Sequence, residues 1–178
     1  MKTVFVDVDT QLDFLYPAGA LYVPGAGRLL PALARLTRHA AGRGIPVVAT
    51  MDAHAENDPE FTRWPPHCVA GTHGQQKAAQ TLFDGQIRVE KRHIDVFRDS
   101  RLQEVVDQLA ADRWVVYGVV TEYCVATAAM GLLRTGKPVE IVTDAIAAID
   151  EAEARRTFEE FTARGGRFTT VEEVCARS

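Results

Sequence analysis

Short apolar runs of strand length alternate with stretches of helical periodicity along the whole chain, and this alternation restricts the fold more than any other feature. The runs are TVFVDV at 3–8, IPVVAT at 45–50, the segment 87–91, WVVYGV at 114–119, PVEIVT at 138–143 and a short edge strand at 167–169. Between the first two, Leu29, Leu33, Leu36 and Ala40 line one face of a helix over about 28–43, with Pro31 in its first turn and Gly44 as its stop. A short helix is expected over 75–83, one from a Ser100 capping box to about 111, one from near Cys124 to Gly136, and one from Asp150 to about 164. Thr170 and Glu173 make a second capping box for a terminal turn of helix. Pro59, Pro65 and Pro66 keep the later part of 51–74 irregular. The expected fold is α/β: a doubly wound, mostly parallel sheet of about six strands in a three-layer α/β/α sandwich.

Composition narrows the class. The 178 residues are 47% apolar and 25% charged, which excludes disorder, collagen and coiled coil and suits a single domain over 1–178. A net charge of −4 argues against nucleic acid or an anionic membrane as partner. No apolar run approaches the roughly 20 residues of a membrane helix. The N-terminus carries Asp7 and Asp9 and does not read as a signal peptide. Three scattered cysteines, Cys68, Cys124 and Cys175, do not make a disulfide framework. A cytoplasmic protein is expected, and one of the thiols is a candidate nucleophile.

Open α/β sheets collect ligands and catalytic groups at the carboxyl ends of their strands. Asp9, Gln11, Asp13 and Phe14 follow the first strand; Asp52 and His54 follow the second, with Trp64 and His67 further along that loop. Lys91 ends the third strand, and Thr121-Glu122-Tyr123-Cys124 follows the fourth at a helix start. Random placement would scatter these groups over both rims.

A thiol at a helix N-terminus is favoured as thiolate by the dipole and free N–H groups, and those groups can also hold an oxyanion. Asp9, just past a buried strand, suits a general base, and a Lys91 ammonium between carboxylate and thiolate makes chemical sense. Asp52, His54 and His67 offer one oxygen and two imidazoles, a set suited to Zn²⁺, Fe²⁺ or Mn²⁺. Each residue has a plainer alternative. Cys124 can be a small core hydrophobe, Asp9 a turn cap, Lys91 a solvated strand end, and the histidines backbone-bonding loop residues. Asp13 is a rival acid but suits bonding to loop backbone. His73 is a possible helper to the histidine pair, Cys68 suits packing, and His39, His93 and Cys175 have no assigned role.

The segment Asp9-Thr10-Gln11-Leu12-Asp13-Phe14 resembles the D-x-Q-x-D-F opening of the isochorismatase-like cysteine hydrolases. Gly118 to Val125, GVVTEYCV, is close to their G-x-x-T-[DE]-x-C-V nucleophile motif. Asp52-x-His54 with Trp64-Pro65-Pro66-His67-Cys68-Val69 and Gly71-Thr72 is similar to the nicotinamidase branch. The resemblance implies a triad of Asp9 (base and acid), Lys91 (electrostatic partner) and Cys124 (nucleophile). It implies a cis peptide between Val119 and Val120, with the Val120 and Cys124 N–H groups as oxyanion hole. It makes Asp52, His54 and His67 ligands of one divalent metal, zinc first, iron or manganese otherwise, with no organic cofactor. Phe14 and Trp64 match the aromatics that sandwich a pyridine ring, and Phe97 is a third candidate wall.

The implied reaction is hydrolysis of a small amide through a thioester on Cys124, with nicotinamide to nicotinate and ammonia as first choice. The chain departs from nicotinamidases in two places. Only 12 residues separate His54 from His67, with Glu60 or water left for a fourth ligand position. The stretch Arg92-His93-Ile94-Asp95-Val96-Phe97 lacks their usual run after the lysine. Other readings are another amide or carbamoyl substrate, a non-catalytic metal-binding scaffold, and vinyl-ether hydrolysis of isochorismate. The present triad and the Asp-His-His set speak against the last two. Helix faces with Met130, Leu132 and Leu133 serve either the core or a homo-oligomer.

Overall fold

The computed structural model describes residues 1–98 and 100–177. Six strands form one parallel sheet: β1 Thr3–Val8, β2 Val47–Asp52, β3 Ile87–Lys91, β4 Arg113–Val119, β5 Val139–Ala147 and β6 Arg167–Thr169, in the order β3-β2-β1-β4-β5-β6. The helices are α1 Leu12–Leu15, α2 Leu30–Arg43, α3 Leu102–Leu109, α4 Ala126–Leu133, α5 Glu151–Ala163 and α6 Val171–Arg177. None of them is long and apolar enough to cross a membrane.

Both faces of the central strands are covered, which is why their sequences are mostly apolar and do not alternate. Val4, Val6 and Val8 of β1 pack into a core completed by α3, α4 and Phe161 of α5. Phe5, one residue out of phase, packs with Leu33 and Leu36 of α2, Leu15 of α1 and Val174 of α6. The result is the expected sandwich of three layers.

Local signals act as their chemistry requires. Pro31 lies in the first turn of α2, and Gly44 ends that helix at φ 64°. Asp150 accepts from the Ala152 and Glu153 amides at the start of α5. Thr170 and Glu173 bond reciprocally at the start of α6.

Several expected elements differ. The helix expected over 75–83 is only one 3₁₀ turn, Ala79–Thr81. Helix formation there loses to tertiary pairing: Gly74 and Gln76 carbonyls accept from Asp13 and Leu12, and the Ala78 amide donates to Thr10. Secondly, the helix expected from Cys124 begins with a π-helical turn, Thr121–Val125, and becomes α-helix only at Ala126. Strand β2 also runs two residues further than expected, so Asp52 is its last residue.

Two features lock the upper rim together. Gly118 has φ 120°, and a Cβ there would sit 2.0 Å from the Val8 carbonyl oxygen, so β4 can pass β1 at this point only without a side chain. The buried Lys77 Nζ lies 2.9 Å from Asp7 Oδ2 and donates to Thr10 Oγ1 at 2.5 Å, tying the 74–78 segment to β1. Lys77→Ala should destabilise the fold by about 3–5 kcal/mol, because it strands a buried carboxylate. Urea unfolding checks this, and Asp7→Asn combined with Lys77→Met should recover much of the loss.

Candidate active site

Strand β1 parts company with its two neighbours at the centre of the sheet: β2 leads one way and β4 the other. Ligand crevices of open α/β sheets form beyond the carboxyl ends of strands at such a switch point. Asp9 follows β1 there with φ 48°, a left-handed conformation that Asp tolerates better than most residues. Asp52 ends β2, Lys91 ends β3, and Cys124 lies in the turn after β4.

These four side chains meet. Lys91 Nζ is 2.9 Å from Asp9 Oδ2 and 3.5 Å from Cys124 Sγ, and it also bonds Asp52 Oδ1. All four residues are buried. Thr50 Oγ1 donates to Asp9 Oδ1 at 2.6 Å and holds the carboxylate from below. The Gln11 amide is fully used. Its oxygen accepts from the Asp52 amide and its nitrogen donates to the Asp52 and Gln75 carbonyls, each at 2.8 Å. Gln11 thereby fixes the end of β2 against the loop after β1. Asp13 behaves as a backbone clamp, accepting from Cys68 N at 2.7 Å and Ala20 N at 3.0 Å.

Burial pushes the Asp9 carboxyl above the usual aspartate range, even with the Lys91 ammonium opposing it. Burial works against the Lys91 charge, but Asp52 and Asp9 hold its pKa well above the ordinary lysine value. Burial also works against ionisation of Asp52, yet Lys91 and His54 hold it down at about 2. The Cys124 thiol is pushed up by burial, with Lys91 opposing and Asp9 and Asp52 reinforcing the shift. This shift runs against the thiolate that the helix terminus alone favours.

The Val119–Val120 peptide is cis, as the family resemblance implies. The Val120 carbonyl accepts from the Tyr123 and Val125 amides at 3.2 and 3.0 Å and so anchors the turn that carries the cysteine.

On the other side of Lys91, ligand atoms of Asp52, His54 and His67 all lie within 4.8 Å of one another. Backbone pairing sets this up: His54 N donates to the Cys68 carbonyl, and Ala70 N donates to the His54 carbonyl. His67 Nδ1 lies 2.8 Å from the Pro65 carbonyl, which assigns its proton to Nδ1 and leaves Nε2 free to face Asp52. His54 Nδ1 lies 3.2 Å from Asp58 Oδ2 in an ion-pair contact, and neither of its buried ring nitrogens has a hydrogen-bond partner. Two imidazoles with free Nε2 atoms, each with an oxygen near Nδ1, and a carboxylate held ionised fit a divalent cation. Phe61 packs its edge against both imidazoles. Glu60 lies on the wall of the adjoining cavity but outside the three-residue cluster.

That cavity has about 330 Å³ of space, part of it open to solvent. Phe14, Trp64, Val120 and Cys124 line it, together with Tyr123 and with Leu21, Ile94 and Ile149, to which the sequence assigned no role. Phe97 is not among the lining residues. Its ring packs on Gly131 of α4 and under the Arg134 guanidinium, 4.8 Å from the ring centre. Ile94, three residues earlier, supplies the wall instead. Thr50 and Asp58 also escaped the sequence analysis, since a lone hydroxyl in a strand and a lone acid in a loop carry no pattern. A wider groove beside Trp114, with Asp107, Arg134 and Lys137 on its walls, contains none of the site residues.

Residues 3–173 match the isochorismatase domain family. The chain is 26% identical to the nicotinamidase of Escherichia coli strain K12 over 198 residues, 92% of each chain. Its fold is similar to that of the pyrazinamidase of Pyrococcus horikoshii solved in complex with zinc, with a TM-score of 0.89 and 29% identity over 96% of this chain and 99% of that one. It is also similar to N-carbamoylsarcosine amidase from Thermoplasma acidophilum, with a TM-score of 0.84 and 26% identity over 96% and 97% of the two chains.

The cluster should take up one zinc ion per chain. His54→Ala should abolish tight uptake, and Asp58→Ala should weaken it about 10–100-fold by loosening the imidazole it backs. Calorimetric zinc titration of the stripped protein reads both effects.

Proposed function

As the chain belongs to the isochorismatase family, we propose that it is a cysteine amidohydrolase whose preferred substrate is nicotinamide, released as nicotinate and ammonia. The observation that carries this reading is the contact of one buried ammonium, Lys91, with both a carboxylate and a thiol. Those groups stand beside a cavity with aromatic walls and an Asp-His-His cluster. The nicotinamidase and pyrazinamidase relatives support the choice of substrate.

In the proposed reaction Asp9 accepts the Cys124 proton as the sulfur attacks the carboxamide carbon. Its raised pKa makes it a stronger base than an exposed aspartate. Lys91 stays protonated throughout and holds carboxylate and sulfur together, so the pair needs little reorganisation. The Val120 and Cys124 amides are the proposed donors to the developing oxyanion. Asp9 then returns its proton to the leaving nitrogen, and ammonia departs from a Cys124 thioester. Asp9 next takes a proton from water, the resulting hydroxyl adds to the thioester carbon, and the acid leaves as the sulfur recovers a proton from Asp9. Phe14, Trp64 and Tyr123 offer ring faces and edges to a flat heteroaromatic group.

Asp52, His54 and His67 would hold a divalent metal, zinc by the proposal. When bound it supplies a Lewis-acid seat for a ring nitrogen and so orients the carboxamide toward the sulfur. A second reading keeps the same triad and changes the substrate to a small carbamoyl compound, which the likeness to N-carbamoylsarcosine amidase favours.

Ammonia release from a panel of amides separates these readings: nicotinamide should turn over fastest, and an inert nicotinamide beside an active carbamoyl compound would select the second. Cys124→Ala should remove turnover, by a factor of about 10³ or more, with the fold intact by circular dichroism. Retained activity in that variant sinks the thioester route. The acid limb of kcat/KM should fall at a pH above the ordinary aspartate range, because Asp9 must be ionised to act and burial raises its pKa. In a pH–rate series, an acid limb below that range would exclude Asp9 as the base.

A further inference from the structure

Ile149 is an unusual cavity wall. It is one of few large apolar side chains with substantial exposure among the described residues, at 37%, yet it lines the cavity that holds Cys124. It belongs to the three-residue connection between β5 and α5, which has no strand or helix pairing of its own. An aliphatic side chain half in water at the mouth of an apolar cavity gains most when a ligand covers it.

The connection is held from the nucleophile turn. Glu122 Oε1 accepts from the Ile149 amide at 2.9 Å and the Asp150 amide at 2.7 Å. Asp150 cannot provide this restraint itself, because its carboxylate caps α5 through Ala152 and Glu153. Glu122 stands two residues before Cys124 in the same turn, so one short segment carries both the sulfur and the clamp on the opposite wall. Its second oxygen, Oε2, is buried with no hydrogen-bond partner, so the carboxylate is kept there at a desolvation cost. Bonds from two backbone N–H groups to a charged acceptor are of the strong kind.

We propose that Glu122 is a positioning residue that fixes Ile149, and that Ile149 is a specificity-determining residue that admits flat, unsubstituted ring amides and excludes ring-substituted ones. The proposal rests on the amidohydrolase reading above and names the substrate class for it. A branched side chain whose own amide and the next are both clamped cannot retreat from an extra methyl group. Hydrophobic walls of this kind discriminate one methyl or methylene by a factor of roughly 10–200.

Two measurements test it. Hydrogen exchange needs no substrate: in Glu122→Ala the Ile149 and Asp150 amides should exchange at least about tenfold faster than in the parent, whereas Glu122→Gln, which keeps an acceptor oxygen, should retain their protection. Steady-state kinetics with nicotinamide and a ring-methylated nicotinamide read the wall. Glu122→Ala and Ile149→Ala should each raise KM for nicotinamide about tenfold with kcat within about twofold. Both should also narrow the preference for the unmethylated ring by about tenfold, and Glu122→Gln should stay near the parent. If Glu122→Ala does not fold, Ile149→Ala at its part-exposed position still carries the specificity arm. Unchanged exchange at 149 and 150 in Glu122→Ala overturns the clamp. A fall in kcat with KM and methyl preference unchanged overturns it too, because Glu122 would then act on the nucleophile turn and not on the wall. A parent enzyme inert toward every amide would refute the activity reading instead, and the exchange comparison would still decide the clamp.

Discussion

A lysine ammonium sealed from water must be neutralised by its neighbours, and the site is organised around that requirement at Lys91. Asp9 and Asp52 supply the compensation from the ends of β1 and β2, and the Cys124 sulfur, in the turn after β4, accepts a further contact. A single buried cation therefore ties together the rim of four adjacent strands. It also joins two chemically different halves, because Asp52 faces Lys91 with one oxygen and the two imidazoles with the other. Asp52, held ionised with its pKa at about 2, turns its second oxygen to the imidazoles, which suits a cation there.

Such a cluster can exist only where the backbone brings the strands into close register. β1 is the hinge of the sheet, pairing with β2 on one side and β4 on the other. Gly118 lets β4 pass the Val8 carbonyl without a clash, and Gln11 binds the last residue of β2 through both its amide and its carbonyl. These restraints come from residues with no place in the proposed chemistry. They hold the groups that have one, which is the preorganisation an enzyme needs from its scaffold.

Much of this was legible from residue order alone. The placement of Asp9, Asp52, Lys91 and Cys124 follows from strand periodicity together with the rule that sites gather at carboxyl ends. What escaped was set by competition between local and distant bonds. Residues 75–83 carry a helical pattern, but the carbonyls of Gly74 and Gln76 are taken by the loop after β1, so only a 3₁₀ turn forms. Phe97 was a candidate third wall, yet the absence of a side chain at Gly131 opens a seat for its ring on α4. At Cys124 the dipole of the helix start, which favours a thiolate, works against full burial and two nearby carboxylates.

The linear order of residues thus determined the layers, the strand sequence and which polar groups gather on one rim, because side-chain periodicity and turn chemistry act over a few neighbours. Only the folded chain decided which groups touch, which protons they hold and which apolar side chains face the cavity. Those outcomes depend on burial and on pairings such as Glu122 with Ile149, 27 residues apart, and burial and distance in space are properties that no local stretch of sequence contains.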